Sequence, residues 1–375
     1  MLGGETPPAP SKALHFPSGT TALRCDLNMN RDRLSEVIAG YSKLRVAVVG
    51  DFCLDRYLEI DAARSETSIE TGLPVHNVAG LRAQPGAAGT ILGNLAALGV
   101  GELHAVGFCG DDGEGYELRR ALSNLPGVRL DAFITAPDRR TFTYCKPLVI
   151  TPGHAPRELE RLDFKNWTPT PAGLQRRLAD HILELSSSLH ALILMDQVDV
   201  ECTGVVTPMV RNASIAALRA NPSLLALADS RRGLKDYPPF AFKMNAAELS
   251  KLCEATAPPG PQSAARMAER LARKNGRPVF VTLSEHGIVG AAADGRSAVC
   301  GALPTRGPID IVGAGDAVTA NLVAALAAGA SIQEALQIAM IAASVVVHKL
   351  GTTGTASPKE IEALLETHTT SSPNS

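Results

Sequence analysis

The chain has 375 residues, 45% of them apolar and 20% charged, which suits an enzyme with one large domain or two ordinary ones around a substantial core. With 36 Lys and Arg against 38 Asp and Glu the net charge is −2, so no broad basic field exists to hold nucleic acid or an anionic membrane. The seven cysteines stand singly with no C-x-x-C pair, which excludes zinc-ribbon and thioredoxin-type motifs and fits reduced thiols in a cytoplasmic protein.

Residues 1–30 are rich in Pro, Gly, Ser and Thr, lack a basic start followed by an apolar run, and read as a flexible tail rather than a signal peptide. Residues 31–365 read as one domain and 366–375 as a second flexible tail. Arg45-Val-Ala-Val-Val-Gly50 is a β-branched run with the pattern of a buried parallel strand. Similar runs recur at 103–107, 191–195, 224–228 and 279–283. Helical spacing covers 93–98, 116–125, 174–185, 206–218 and 263–274. This alternation predicts an α/β fold with a mostly parallel sheet. Asp51, Asp196, Asp229 and Ser284 follow or end strands, and ligands of open α/β sheets bind beyond the carboxyl ends of strands. The four are therefore expected around one crevice, although an Asp after a strand also serves to cap the next helix.

Two stretches break the alternation. Residues 56–82 and 133–165 contain strand-like pieces at 73–78 and 141–144, which predict a small antiparallel sheet acting as a water-excluding lid. The apolar C-terminal third is interrupted by Asp316, Asn321, Gln333, Glu334 and Gln337, so it falls short of the roughly 20 apolar residues a membrane span needs.

The stretch Asp310-Ile-Val-Gly-Ala-Gly-Asp316 precedes an Ala- and Leu-rich helix. Glycines let the backbone approach an anion, the first-turn N–H groups have no intrahelical partners, and the helix dipole adds positive charge. The backbone of Gly313, Ala314, Gly315 and Asp316 is thus a candidate oxyanion or phosphate cradle. Asp316 is the candidate base for an attacking hydroxyl, held ionised by the dipole. Asn245 and Glu248 share a helix face and suit a magnesium ion and its waters. The same spacing is also that of a capping box.

These residues resemble the D-T-x-G-A-G-D signature of the PfkB (ribokinase-like) carbohydrate kinases, with Ile311 where that family has Thr or Ala. Lys243-Met-Asn-Ala-Ala-Glu248 is similar to the family's K-x-N-x-x-E element. Gly50-Asp51-Phe-Cys-Leu-Asp55-Arg-Tyr57, Asp229-Ser-Arg-Arg232, Thr282-Leu-Ser-Glu-His-Gly287 and Lys349-Leu-Gly351-Thr-Thr-Gly354 resemble the heptose-kinase-like subgroup. Pro85-Gly86-Ala87-Ala-Gly-Thr90 resembles the first family signature, P-G-G-A-A-N. Ala87 replaces its second glycine, and Thr90 replaces an Asn that commonly binds sugar. Arg161-Leu-Asp163 fits a family R-x-D, whereas Asp196-Gln197-Val-Asp199 stands where heptose kinases have D-Y-x-K-G. The resemblance spans about residues 44–360.

It implies a ribokinase-like three-layer sandwich with a mostly parallel central sheet and a small β lid. The implied activity is ATP-dependent phosphoryl transfer to a hydroxyl of a sugar or sugar phosphate. The nucleotide would meet Lys243, Asn245, Asp229, Ser284, Gly287 and Gly351. The acceptor would meet Asp51, Asp55, Gly86, Ala87, Thr90 and Asn94. Mg2+ would be held through water by Asn245 and Glu248, and Asp310 would serve a monovalent cation such as K+. The expected assembly is a homodimer through the lid, with a small-molecule substrate and neither nucleic acid nor membrane as partner. Two alternatives stay open: a kinase of nucleosides or other small alcohols, and a non-catalytic ligand-binding member of the fold.

Overall fold

The computed structural model describes residues 27–370. The chain starts with α1 (Arg31–Tyr41) and β1 (Arg45–Gly50), then leaves the main sheet through β2 (Phe52–Asp61), the short pair β3 (Glu66–Thr67) and β4 (Pro74–Val75), and β5 (Val78–Ala87). It returns through α2 (Ala88–Ala97), β6 (Glu102–Gly110), α3 (Gly113–Ser123), β7 (Val128–Arg129) and β8 (Phe133–Ala136). A second excursion makes β9 (Phe142–Ile150), β10 (Arg157–Glu158) and β11 (Leu162–Phe164). Then follow α4 (Ala172–Ser186), β12 (Ala191–Asp196), α5 (Pro208–Ala220), β13 (Leu225–Ser230), β14 (Ala241–Asn245), α6 (Ala246–Leu252) and α7 (Pro261–Asn275). Last come β15 (Val279–Thr282), β16 (Ile288–Ala291), β17 (Ser297–Cys300), α8 (Ala314–Ala327), α9 (Ile332–Val347) and α10 (Pro358–Thr370).

The main sheet has ten strands in the order β17-β16-β15-β14-β13-β12-β1-β6-β7, with β8 also paired to β6. It is parallel from β6 through β1, β12, β13 and β14 to β15, and β16 and β17 add an antiparallel edge. Its central strands are buried on both faces, which is why they read as continuous apolar runs. One face packs α1, α2, α3, α8, α9 and α10 through residues such as Leu34, Leu92, Leu122, Leu322 and Ile341. The other face packs α4, α5, α6 and α7 through residues such as Leu178, Val210, Leu249 and Ala268. This is the three-layer sandwich expected. Helix α8 is buried around its whole circumference from Ala317 to Ala325, which accounts for its nearly uniform apolar composition. Among the described residues no helix is long and apolar enough to cross a membrane.

The lid is a five-stranded sheet in which β9 and β5 flank β2, and β10 and β11 pair with β9. It corrects the sequence expectation in two ways. The pair β2 and β9 is parallel, because both strands leave the main sheet in the same direction. Residues 133–136 belong to the main sheet rather than the lid, since β8 pairs with β6. The domain also begins before residue 31. Met29 is buried and donates its N–H to Gln337 Oε1 at 3.1 Å. Residues 366–370 continue α10, and the rest of the two expected tails lies outside the described residues.

Candidate active site

The Gly-rich segment before α8 does what its composition demands. Gly313 is the N-cap residue with φ 82, a left-handed conformation that glycine adopts without strain. Among the described residues no side chain caps this helix end. The Ala314 N–H donates to Ile311 O at 3.2 Å, so that amide, expected in the cradle, is spent in the turn. The N–H groups of Gly315 and Asp316 have no protein acceptor among the described residues, which leaves them able to meet an anion at the helix end.

Lys243 completes the cradle. It is buried on β14, where Nζ donates to Asp229 Oδ2 at 2.8 Å. A Cβ placed on Gly315 would lie 3.3 Å from that Nζ, so the ammonium sits directly over the helix start. Burial works against the Lys243 charge, but Asp229 outweighs it, with help from Asp316 and Glu248, and holds the ammonium above its ordinary pKa. Thr319 Oγ1, one turn into α8, lies 3.0 Å from the same Asp229 oxygen. Asp229 therefore acts on Lys243 and α8 rather than reaching outward.

Asp316 is the first acidic residue of α8. Burial pushes its carboxyl up to about 7, against the pull of Lys243 and with further upward pushes from Asp229 and Asp55. The expectation that the helix dipole holds it ionised is thus outweighed by desolvation. A carboxyl poised near neutrality suits general-base work better than one of ordinary acidity.

Across the cleft stands the lid. Asp55, Tyr144, Asp163 and Gln84 lie in one cross-strand row, so their side chains leave the same face. Burial raises the Asp55 carboxyl, and Lys146, with Nζ 3.5 Å from Oδ1, counters it. Gly86 lets Asp55 approach: a Cβ there would come within 2.7 Å of Asp55 Oδ2. Ala87 holds φ 53 and ψ −115 at the start of α2, a conformation natural to the glycine it replaces. Thr90 is buried, with its hydroxyl 3.3 Å from Pro85 O.

Two residues expected at the acceptor turn away from it. Asp51 is fully buried, and its oxygens accept N–H groups from Gln197, Val198 and Val205 at 2.8, 3.1 and 2.7 Å. It is the single residue between β1 and β2, so it anchors the lid root to the loop after β12. Asn94 is fully buried too, and its Nδ2 donates to Thr90 O one turn earlier at 2.9 Å. Asp196, at the same strand edge, is held by Ser230, Arg232 and Tyr237 at 3.0, 2.8 and 2.6 Å.

The remaining nucleotide-side residues line the same edge. Asn245 and Glu248 form a complete capping box at the start of α6, at 2.9 and 2.7 Å, so the side-chain oxygen of Asn245 and one of the two of Glu248 are engaged locally. Among the described residues no group of three or more His, Cys, Asp or Glu is arranged to hold a metal by itself. Ser284 is exposed on the turn after β15, and the Gly287 N–H closes that turn on Ser284 O at 3.1 Å. Asp310 accepts the N–H groups of Val312 and Gly351 at 3.0 and 3.2 Å, which ties the 349–354 loop to the Gly-rich segment.

Sequence reasoning missed Lys146, Tyr144 and Gln84. Their only local signal is the period-2 spacing of Tyr144 and Lys146, and the face that spacing selects depends on long-range register. It also missed Trp167, the single tryptophan, which is 71% exposed and lines a small cavity with Phe142, Tyr144, Lys165 and Asp199.

Comparison with known proteins shows the family and the fold. The chain is 30% identical over 321 residues to the bifunctional protein HldE of Gluconobacter oxydans, covering 84% of this chain and 63% of that protein. It is 33% identical over 335 residues to the bifunctional protein HldE of Halorhodospira halophila, covering 88% and 65%. The chain thus spans just under two thirds of the length of these relatives. In structure it is similar to a ribokinase from Arabidopsis thaliana complexed with ribose and ATP, at TM-score 0.64 and 20% identity, over 86% of this chain and 99% of that one. It is equally similar to phosphofructokinase-2 from Escherichia coli, at TM-score 0.66 and 20% identity, over 86% and 99%. The sequence profile described as "pfkB family carbohydrate kinase" matches residues 43–360, and with this match the chain belongs to that family.

Proposed function

We propose that the protein transfers a phosphoryl group from ATP to a hydroxyl of a sugar or sugar phosphate, with Asp316 as the base. The observation that carries this is the juxtaposition at α8: a carboxyl poised near 7 beside two free N–H groups with the Lys243 ammonium over them. Asp316 takes the proton as the acceptor oxygen bonds to the γ-phosphorus and the bond to the ADP oxygen breaks. The Gly315 and Asp316 amides and Lys243 meet the charge on the transferring group, where removing one such donor commonly costs about a hundredfold or more in rate. Asp55 and Lys146 hold acceptor hydroxyls, with the Gly86 backbone beside them. Asp51 and Asn94 serve the framework.

The donor set fits a magnesium ion that rides on the nucleotide phosphates. Glu248 keeps one oxygen beyond the capping box for a metal-bound water, and Asn245 orients it. Such an ion supplies charge neutralisation for the phosphates. Asp310, whose oxygens each keep a lone pair beyond one N–H bond, fits a monovalent cation at the 349–354 loop. A phosphofructokinase-2 from Escherichia coli of the same fold has been crystallised with potassium.

The test is a panel of sugars, sugar phosphates and nucleosides, read by ADP release and by Trp167 fluorescence for acceptor binding. A sugar or sugar phosphate that quenches or shifts Trp167 and gives turnover abolished in Asp316→Asn is the expected result. Turnover only with nucleosides would reassign the acceptor. Absence of Asp316-dependent turnover with every acceptor would refute the proposal.

A further inference from the structure

The proposed donor and acceptor halves of the site come from opposite ends of the chain, and two side chains of β5, Gln84 and Arg82, join them. Gln84 on β5 lies directly across from Asp55 on β2. Its amide reaches two consecutive residues of the 349–354 loop. Nε2 donates to Thr353 Oγ1 at 2.6 Å, and Thr352 Oγ1 donates to Oε1 at 2.9 Å. Arg82, two residues earlier on the same face, donates from Nη1 to Gly351 O at 3.2 Å. The loop passes these contacts to the anion cradle. The Gly351 N–H is held by Asp310, and Thr353 lies against Gly313, where an added Cβ would sit 3.2 Å from Thr353 Cβ and Cγ2. Gly313 is the residue whose left-handed backbone starts α8.

The side-chain chemistry suits the span. An amide combines N–H donors with a carbonyl acceptor in one side chain, and the two hydroxyls use one of each. A shorter Asn would lose a methylene of reach. An alanine would leave both threonine hydroxyls without their partner on the strand and only the Arg82–Gly351 bond between strand and loop.

We propose that Gln84 is a positioning residue that couples nucleotide occupancy of the α8 cradle to closure of the lid. The inference rests on the kinase reading. Occupancy of the cradle orders Gly313 and the loop over it, and Gln84 draws β5, with Asp55 across from it, towards the donor side. By linkage, an ordered lid returns the same factor to nucleotide affinity.

Hydrogen–deuterium exchange on the full chain with and without Mg-ADP reads this without an acceptor. In the wild type, ADP is expected to slow exchange in residues 349–354 and in β5 together. In Gln84→Ala it slows only 349–354, and the ADP affinity falls about fivefold or more, the lower end of common coupling factors. Thr353→Val, which removes the hydroxyl and keeps the volume, reproduces that uncoupling. Gln84→Glu, whose carboxylate accepts from both hydroxyls, restores protection of β5. Equal protection of β5 by ADP in wild type and Gln84→Ala overturns the coupling while leaving the kinase reading intact. No ADP protection anywhere in the wild type overturns both, and the silent 349–354 loop identifies that outcome.

Discussion

Two residues in the site hold conformations or charge states that the rest of the fold imposes. Asp316 has a folded pKa of about 7 against an ordinary 3.8, with burial as the main cause. In the proposed role of base it must be ionised, so kcat/KM should rise with pH to a plateau whose midpoint lies near 7, and Asp316→Asn should lose about a hundred- to ten-thousandfold in rate. The same shift has a stability consequence of opposite sense. Because the folded pKa is raised, the neutral acid favours folding, and that stability is lost as pH climbs from about 4 to about 7. Asp316→Asn should therefore be more stable than wild type at pH 8, by about 1–4 kcal/mol, and gain little at pH 4. Thermal melts at the two pH values check this. Ala87 is the second case. Its φ of 53 and ψ of −115 cost a non-glycine residue about 1–3 kcal/mol, so Ala87→Gly should raise stability by about 1 kcal/mol after the entropy of glycine is subtracted. Denaturant midpoints of the two proteins measure it.

At the scale of elements, the two helix starts in the proposed site differ in how they are capped. The start of α8 is left uncapped, as the proposed anion cradle requires, whereas the start of α6 is capped twice over by Asn245 and Glu248. Both begin with short polar or glycine residues, and the sequence alone separates them poorly. Their roles divide experimentally. Asn245→Ala should lower stability by about 1 kcal/mol through the lost cap. Glu248→Gln keeps a capping oxygen, so its melting temperature should hold while the Mg2+ concentration for half-maximal activity rises. A drop in melting temperature with unchanged Mg2+ dependence would reduce Glu248 to its cap. The strands of the main sheet were legible because residues buried on both faces leave continuous apolar runs. The lid was legible only as an interruption. The pairing of β2 with β9 joins residues about ninety positions apart, and nothing local encodes its parallel sense.

For the whole molecule, the lid presents two unlike faces. The inner face carries Asp55, Lys146 and Gln84. The outer face carries Leu81, Leu162 and Phe164, which are 49%, 58% and 46% exposed. In the lid dimer we propose, this face packs against a second copy of the lid. Leu162→Lys with Phe164→Lys should convert a dimer to a monomer in analytical ultracentrifugation, with the melting temperature of the main domain retained. A wild type that sediments as a monomer at all concentrations would remove the lid dimer.

The amino-acid sequence by itself determined the alternation of strand and helix, and it placed a Gly-Ala-Gly-Asp turn with an acid, Asp316, at the start of an apolar helix. These depend on local backbone preference and on apolar periodicity, which a few consecutive residues carry. Only the tertiary structure decided that Asp51 and Asn94 look inward, that Lys243 lies buried over Gly315, and that Gln84 bridges to Thr352 and Thr353. Each of those outcomes depends on which distant backbone amides, carboxylates or hydroxyls arrive within hydrogen-bonding reach. The pKa of Asp316 belongs with them, since the desolvation that raises it comes from the packing of the whole cleft rather than from the helix that carries the residue.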